Sequence, residues 1–140
     1  MMVCTFIGHS ECYGIDDENL KRQIEDLIKM GVREFLSGGM GDFDWKCARM
    51  VFELKKEYPK IKNTLVIPYL NFNIRNKDLF DEILYPDGFE KYYFKSAIIK
   101  RNRFLVDSSD YVICYIRYAF GGAAKTYEYA KKKGKKRINI

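Results

Sequence analysis

The chain has 140 residues and a formal net charge of +6, and 47% of its residues are hydrophobic and 31% charged, as in folded globular proteins. This length predicts a single domain over residues 1–140. No apolar run approaches the roughly 18 residues of a membrane helix, and no basic and apolar leader follows Met1. We therefore expect no membrane partner and a cytoplasmic location.

Cysteine and histidine, the usual ligands of zinc, are sparse in the chain. The chain has four cysteines without a C-x-x-C pair, and His9 is its one histidine. A zinc site of familiar spacing cannot be assembled from this set. Cys4 and Cys114 lie inside apolar runs, where a thiol behaves as a small hydrophobic group. We expect reduced, mostly buried thiols, no metal and no bound cofactor.

The positive charge is concentrated in the second half of the chain. Residues 1–70 hold 10 Lys and Arg against 11 Asp and Glu, whereas residues 71–140 hold 15 against 8. The densest part is KKKGKKR at 131–137. Such a run is typical of proteins that contact a nucleic-acid backbone. It is also typical of the last turn of a helix, where cations oppose the negative end of the dipole, and we favour this interpretation.

Apolar strand-like runs alternate with amphipathic helical patterns along the first half of the chain. We predict strands at Val3–Ile7, 34–36 and 64–70. A first helix begins with the acidic residues 16–18 and ends at Gly31. A second helix follows Gly41 and ends before Pro59.

The second half begins with a segment of less regular pattern, residues 71–92, rich in Asn, Asp, Tyr and charge. Insertions of this kind often form lids or binding loops. Helical periodicity returns from Phe94 to Ser108. A strand at Tyr111–Tyr115, a helix opened by Gly121 and a short strand at 137–140 complete the prediction.

This alternation predicts an α/β fold, a Rossmann-like three-layer sandwich with a mainly parallel sheet. Ligands of such sheets bind beyond the carboxyl ends of the strands. The predicted ends carry Gly8-His9, the SGGMG sequence at 37–41, the segment after Leu70, and residues 117–122. The functional site is therefore expected at this edge of the sheet.

Two of these strand ends are glycine-rich and lead directly into helices, at 38–41 and at 121–124. Such a turn lets a backbone approach a ligand closely and directs free N–H groups and the helix dipole at an anion, most often phosphate. Neither turn matches the G-x-x-x-x-G-K-[ST] or the G-x-G-x-x-G pattern. The alternative is that these glycines only form tight turns.

The helix at 94–108 carries an arginine within its apolar sector. On a helical wheel Arg101 and Asn102 fall inside that sector, whereas Arg103 falls outside. An inward guanidinium is costly unless it pairs with a carboxylate or phosphate. We expect Arg101 to reach the ligand crevice, in which case the ligand-free fold should tolerate its loss. The alternative is a structural arginine paired with Glu128 or Asp110.

Three stretches resemble the SLOG superfamily, named for the Smf/DprA DNA-processing proteins and the LOG phosphoribohydrolases: TFIGH at 5–9, SGGMGDFD at 37–44, and the run 100–128. Within it the chain most resembles the small stand-alone YpsA-like members, over nearly its whole length. Arg101 stands nine residues before Asp110, as in the LOG enzymes. The resemblance implies a nucleotide or nucleotide-derived ligand over the two glycine loops and, by analogy, a homodimer.

The chain departs from the LOG pattern P-G-G-x-G-T-x-x-E. Phe120 stands in place of the proline and Ala124 in place of the third glycine, the threonine is displaced to Thr126, and Asn102 stands where LOG enzymes carry lysine. The ligand-binding frame is thus retained while the catalytic motif is incomplete. A binding or sensing protein is favoured over a hydrolase.

Three functions follow, in this order. The first is binding of a nucleotide or ADP-ribose-like ligand by residues at the carboxyl edge of the sheet. We expect its contacts from Gly8, His9, Ser37, Gly38, Gly39, Gly41, Asp44, Arg101, Asn102, Gly121, Gly122, Ala123 and Thr126. The second is hydrolysis of the N-glycosidic bond of a nucleoside monophosphate, for which the LOG resemblance implies Arg101 and Glu128 as catalytic residues. The third is nucleic-acid binding, supported by the basic second half and by tyrosines 92, 93, 115 and 118.

Overall fold

The computed structural model describes residues 1–140 and contains one parallel sheet of six strands between two layers of helices. The strands are β1 (Met2–Gly8), β2 (Val32–Ser37), β3 (Lys62–Val66), β4 (Glu82–Leu84), β5 (Tyr111–Tyr115) and β6 (Lys136–Asn139). The helices are α1 (Asp17–Lys29), α2 (Asp42–Leu54), α3 (Phe94–Asp107) and α4 (Gly122–Lys132). The strand order is β4-β3-β2-β1-β5-β6, and every pair is parallel. The predicted Rossmann-like α/β fold is confirmed.

Alternate residues of β1 serve the two faces of the sheet. Cys4 and Phe6 are buried in the larger core, beneath α1 and α2. Val3 and Ile7 point the other way and pack in smaller clusters with residues of α3 and α4. Because the strand is covered on both sides, it is apolar along almost its whole length.

The start and end of α1 follow from local chemistry. The Asp16 carboxylate caps the helix by accepting a 3.0 Å hydrogen bond from the Glu18 N–H. Acidic residues occupy the first turn, and the buried stripe contains Leu20 and Ile24. The chain leaves the helix through Gly31, whose φ of 113° is available to glycine at little cost.

The segment 71–92, for which a lid or a binding loop was the expectation, builds the edge of the sheet. It contains β4, which pairs with β3, and none of its residues lines the cavity described below. The Asp81 carboxylate anchors it by accepting a 2.8 Å hydrogen bond from the Asn63 N–H. The strand β3 also ends at Val66 rather than at residue 70, and Pro68 follows. The strand β4 was missed because it has only three residues, and so short a strand shows no recognisable pattern in the sequence.

The basic run 131–137 spans a helix end, a turn and a strand. Two of its lysines form the last turn of α4, as predicted, and Gly134 makes the turn with a φ of 69° into β6. The helix α4 runs from the carboxyl edge of the sheet to the opposite edge, and β6 runs back to the carboxyl edge. The basic run joins these two elements and therefore lies at the edge opposite the cavity. None of the helices has both the length and the apolar character required to cross a membrane.

Candidate functional site

A cavity of about 500 Å³ opens at the carboxyl edge of the sheet, beside the ends of β1 and β5. Chain connections leave in opposite directions from these two strands, so the cavity lies at the topological switch point, where α/β sheets bind ligands. Its lining comprises Phe6, Ile7, Gly8, His9, Ser10, Glu11, Gly38, Met40, Gly41, Asp44, Ile98, Arg101, Asn102, Leu105, Tyr118, Gly121, Gly122, Ala123 and Thr126. All the predicted ligand-binding residues line it except Ser37 and Gly39.

Those two exceptions face the interior of the protein. Ser37 is fully buried and its hydroxyl has no hydrogen-bond partner. Gly39 has a φ of 65°, and its carbonyl accepts a 2.9 Å hydrogen bond from the Trp45 indole. The turn after β2 therefore directs Gly38, Met40 and Gly41 at the cavity but not Ser37 or Gly39, a division that a linear motif does not reveal.

Two glycines of the cavity, Gly8 and Gly41, are required by internal packing. A Cβ on Gly8 would lie 2.2 Å from the Phe43 ring, and one on Gly41 would lie 2.5 Å from the Ser10 Cα. Neither separation is sterically allowed. For the turn at 38–41, the geometry therefore fits the alternative interpretation, in which the glycines form a tightly packed turn.

The start of α2 is already occupied by groups of the chain itself. The Asp44 carboxylate accepts a 3.1 Å hydrogen bond from the Met40 N–H, and the Asp42 N–H donates a 2.7 Å hydrogen bond to the Ser10 carbonyl. Burial raises the pKa of Asp44, although that N–H and the charge of Arg101 act in the opposite direction. This helix end presents acidic groups and is a poor site for an anion.

The start of α4 is open. Gly121 has a φ of 92°, and apart from the adjacent residues and the backbone of the helix, no atom lies within 4 Å of the position of a Cβ on Gly121 or Gly122. No side chain caps the helix, so its first N–H groups have no acceptor within the chain. The Thr126 hydroxyl donates to the Gly122 carbonyl at 2.9 Å, one turn away. Of the two glycine-rich turns, this one has free donors at the cavity.

Arg101 lies in the wall of the cavity and is only 1% exposed. Its Nη1 donates to the carbonyls of Gly38 at 2.7 Å and Val66 at 2.8 Å, and its Nε donates to the Asn102 Oδ1 at 3.0 Å. Burial lowers the pKa of Arg101 to about 10, while the Asp44 charge raises it. The Nη2 group makes no hydrogen bond within the chain and is left to bind a further acceptor.

The acidic partners predicted for Arg101 lie elsewhere. Glu128 is exposed on α4 and does not line the cavity. The Asp110 carboxylate accepts a 2.9 Å hydrogen bond from the Val3 N–H and belongs to the start of β5. Because main-chain carbonyls take the place of an acid, Arg101 is partly structural without forming an ion pair.

His9 joins the loop after β1 to the loop after β5. Its Nε2 accepts a 3.0 Å hydrogen bond from the Arg117 N–H, so the ring proton is on Nδ1. Burial, and secondarily the Arg117 charge, lowers the pKa of His9. The imidazole stacks on the Tyr118 ring, with centroids 3.7 Å apart.

Several cavity residues were absent from the prediction. Ser10 and Glu11 directly follow Gly8-His9 at the end of β1, so their position in the chain was an available signal. Ile98 lies one helical turn before Arg101 on the same side of α3. Tyr115, which was named for nucleic-acid stacking, is only 5% exposed. It therefore cannot present a ring face to a ligand.

The fold and the cavity together define a Rossmann-like α/β domain with an open cavity at the switch point of its sheet. The model of the YpsA family, described as the YspA SLOG family, matches residues 4–139, and the chain belongs to this family. The resemblance found in the sequence is confirmed.

Two relatives in bacilli show how far the similarity extends. A UPF0398 protein of Bacillus pumilus is 30% identical over 102 residues, covering 65% of this chain and 54% of that protein. The SPbeta prophage-derived protein YoqJ of Bacillus subtilis is 26% identical over 136 residues, covering 82% of this chain and 80% of that protein.

Two solved structures share the fold. DNA processing protein A (DprA) of Streptococcus pneumoniae superposes with a TM-score of 0.73 at 18% identity, over 97% of this chain and 49% of that one. DprA of Helicobacter pylori, studied for its single-stranded DNA binding mode, superposes with a TM-score of 0.68 at 18% identity, over 97% of this chain and 63% of that one. The chain thus spans about half the length of the S. pneumoniae protein and of the B. pumilus relative.

Proposed function

We propose that the cavity binds the phosphate of a nucleotide or of a nucleotide-derived ligand such as ADP-ribose. The observation that carries this proposal is the pairing of an uncapped helix start at Gly121-Gly122 with the unpartnered Nη2 group of Arg101, both in the lining of one cavity. A helix N-terminus favours an anion. A guanidinium adds a charge-assisted donor of fixed geometry.

The rest of the lining suits the uncharged part of such a ligand. Asp44 offers a carboxylate to ribose hydroxyls, and Asn102 has a side-chain NH₂ with no acceptor in the chain. Asp44 also keeps this side of the cavity negative, so the phosphate is expected at the α4 side. We further propose a binding or sensing role, a cytoplasmic location and, by analogy with the family, a homodimer.

Gly122→Glu tests the phosphate site directly. The position has open space, so the side chain fits, and a carboxylate in the first turn of a helix does not destabilise it. The new charge occupies the place of the phosphate. The matched control is Ser96→Glu, which adds the same charge to the exposed first turn of α3, outside the cavity.

Calorimetric titration with AMP and ADP-ribose, together with thermal unfolding, gives the readout. For the wild type we expect stabilisation of about 2.7 kcal/mol when the ligand is present at a hundred times its dissociation constant. Ser96→Glu should retain this stabilisation and Gly122→Glu should lose it, and neither change should lower the melting temperature of the free protein. Equal binding by the two variants, or no stabilisation of the wild type by any nucleotide, contradicts the proposal.

We propose single-stranded nucleic acid as the second candidate ligand. The H. pylori DprA that shares the fold is described by its binding of single-stranded DNA. At the start of α3, the sequence KYYFK at 91–95 combines aromatic rings with lysines, as single-strand binding surfaces do. Tyr93 is 88% exposed, and the amino groups of Lys91 and Lys100 lie 5.4 and 5.6 Å from the centre of the Tyr92 ring.

Fluorescence anisotropy with labelled oligo(dT) at several salt concentrations tests this candidate. Phosphate-backbone binding predicts an affinity that falls steeply with salt. Tyr93→Ala should weaken binding severalfold, because stacking contributes about 1–3 kcal/mol per base. No binding at 50 mM salt, or an affinity independent of salt, contradicts it.

A further inference from the structure

Three aromatic rings form a continuous stack at the mouth of the cavity. His9 and Tyr118 are nearly parallel, with an interplanar angle of 9° and centroids 3.7 Å apart. Phe120 continues the stack on Tyr118, with centroids 4.4 Å apart and an angle of 28°. The side chains become more exposed outward, from 4% at His9 to 44% at Tyr118 and 71% at Phe120.

The stack is attached to the proposed phosphate site by the chain itself. His9 and Tyr118 line the cavity, and Phe120 is followed directly by Gly121 and Gly122 at the start of α4. Neither glycine has a side chain to screen Phe120 from a ligand. A group that extends out of the cavity from a phosphate at this helix start can therefore reach the stack.

The exposed ring has no structural partner beyond the stack. Phe120 has no other ring near it and belongs to none of the buried clusters or the residues packed against them. An apolar ring that is 71% exposed gains little from folding. One face lies against Tyr118, and the opposite face is open to a planar ring.

We propose that Phe120 is a stacking platform for the base of the nucleotide and so determines specificity for ligands that carry an aromatic ring. This inference rests on the proposed phosphate site. The buried His9, held by its hydrogen bond from Arg117, fixes the inner end of the stack. A platform held in this way stacks a base without losing side-chain freedom, and stacking of this kind accepts any base.

Phe120 also marks where this chain differs from the LOG pattern, which has proline at that position. A proline ring has no π system and cannot stack on a base in this way. The platform is thus a property of this chain's own residues rather than of the shared glycine motif.

The test compares a ligand with a base and one without. We would measure the affinities of AMP and ribose 5-phosphate by calorimetry for the wild type, Phe120→Leu and Phe120→Trp. Phe52→Leu is the matched control, since it makes the same change at a partly exposed phenylalanine in the last turn of α2, away from the cavity.

We expect Phe120→Leu to lower the affinity for AMP about tenfold and to leave the affinity for ribose 5-phosphate unchanged. Phe120→Trp should bind AMP at least as tightly as the wild type does. Phe52→Leu should change neither affinity. Equal AMP affinity in the wild type and Phe120→Leu, or an equal loss of affinity for both compounds, overturns the stacking platform but does not contradict the phosphate site. A wild type that binds neither compound overturns both proposals.

Discussion

The Nη1 group of Arg101 donates a 2.7 Å hydrogen bond to the carbonyl of Gly38, and a Cβ on Gly38 would lie 3.1 Å from the guanidinium carbon. The guanidinium therefore fits against the turn after β2 where that turn lacks a side chain. It also joins the ends of β2 and β3, because the same nitrogen donates to the carbonyl of Val66. Its Nη1 and Nε are held by the chain, whereas Nη2 makes no hydrogen bond within the chain.

Loss of this side chain should destabilise the ligand-free protein, as the structural alternative from the sequence implies, whereas an arginine that only reached the crevice would be dispensable for the fold. We expect Arg101→Ala to cost about 3 kcal/mol or more, because two buried carbonyls lose the charged donor that they share and a cavity remains. Arg101→Lys should cost about 2 kcal/mol, since an ammonium cannot reproduce the fork. Urea unfolding measures both, with the exposed Arg103→Ala as the control. Equal stability of Arg101→Ala and Arg103→Ala would show that the guanidinium has no structural role.

The glycines of the site should divide into two groups on substitution by alanine. Gly8→Ala places its Cβ 2.2 Å from the Phe43 ring, so we expect a loss of about 2 kcal/mol or more through overpacking. Gly122→Ala meets nothing within 4 Å beyond the adjacent backbone and is the first residue of α4, so we expect no loss and a gain below the roughly 1 kcal/mol of a helix interior. Thermal unfolding should show a lower melting temperature for the first and an equal or higher one for the second. The reverse order would contradict the packing described at these positions.

The long, periodic elements were predictable from the sequence, because β1, β5 and the stripe of α1 each repeat a pattern over enough residues. The edge strand β4 was not, because three residues carry no period and Asp81 fixes them to the distant Asn63. The site was predictable as an edge of the sheet. Which glycines are open depends on contacts such as Gly8 with Phe43, and these arise only when separate elements pack together.

Placement of the acidic residues bears on the hydrolase alternative. Glu128, the carboxylate that the LOG resemblance implies, lies on the exposed side of α4, whereas Asp44 lines the cavity. If the protein releases adenine from AMP, we expect Glu128→Gln to retain the rate and Asp44→Asn to reduce it at least a hundredfold. Chromatographic detection of free base measures the reaction. A rate lost in Glu128→Gln alone would show that α4 presents this carboxylate to the substrate.

Acid should weaken the junction between the loops after β1 and β5, and His9 is the group responsible. Burial and the neighbouring charge of Arg117 hold its pKa below the ordinary 6.5, so the folded state prefers the neutral ring. The unfolded chain then binds more protons as the pH falls. The stability that the neutral ring provides is complete above pH 6.5 and is lost as the pH falls through the folded-state pKa. Protonation also places a proton on Nε2, which removes the acceptor for the Arg117 N–H.

Because His9 is the one histidine in the chain, its ring proton resonances in a proton NMR titration report its folded-state pKa without assignment. We expect a midpoint below 6.5 and, in urea unfolding, a stability that declines from pH 7.5 to 5. His9→Gln is the matched variant, since an amide oxygen can accept from the same N–H and does not titrate. Asp44 and Glu11 also line the cavity, and the raised pKa of Asp44 acts in the opposite direction on stability, but the variant retains both. The difference in the free energy of unfolding between the wild type and His9→Gln should therefore shrink steadily as the pH falls. A difference that does not change with pH would mean that the charge state of the imidazole does not affect stability.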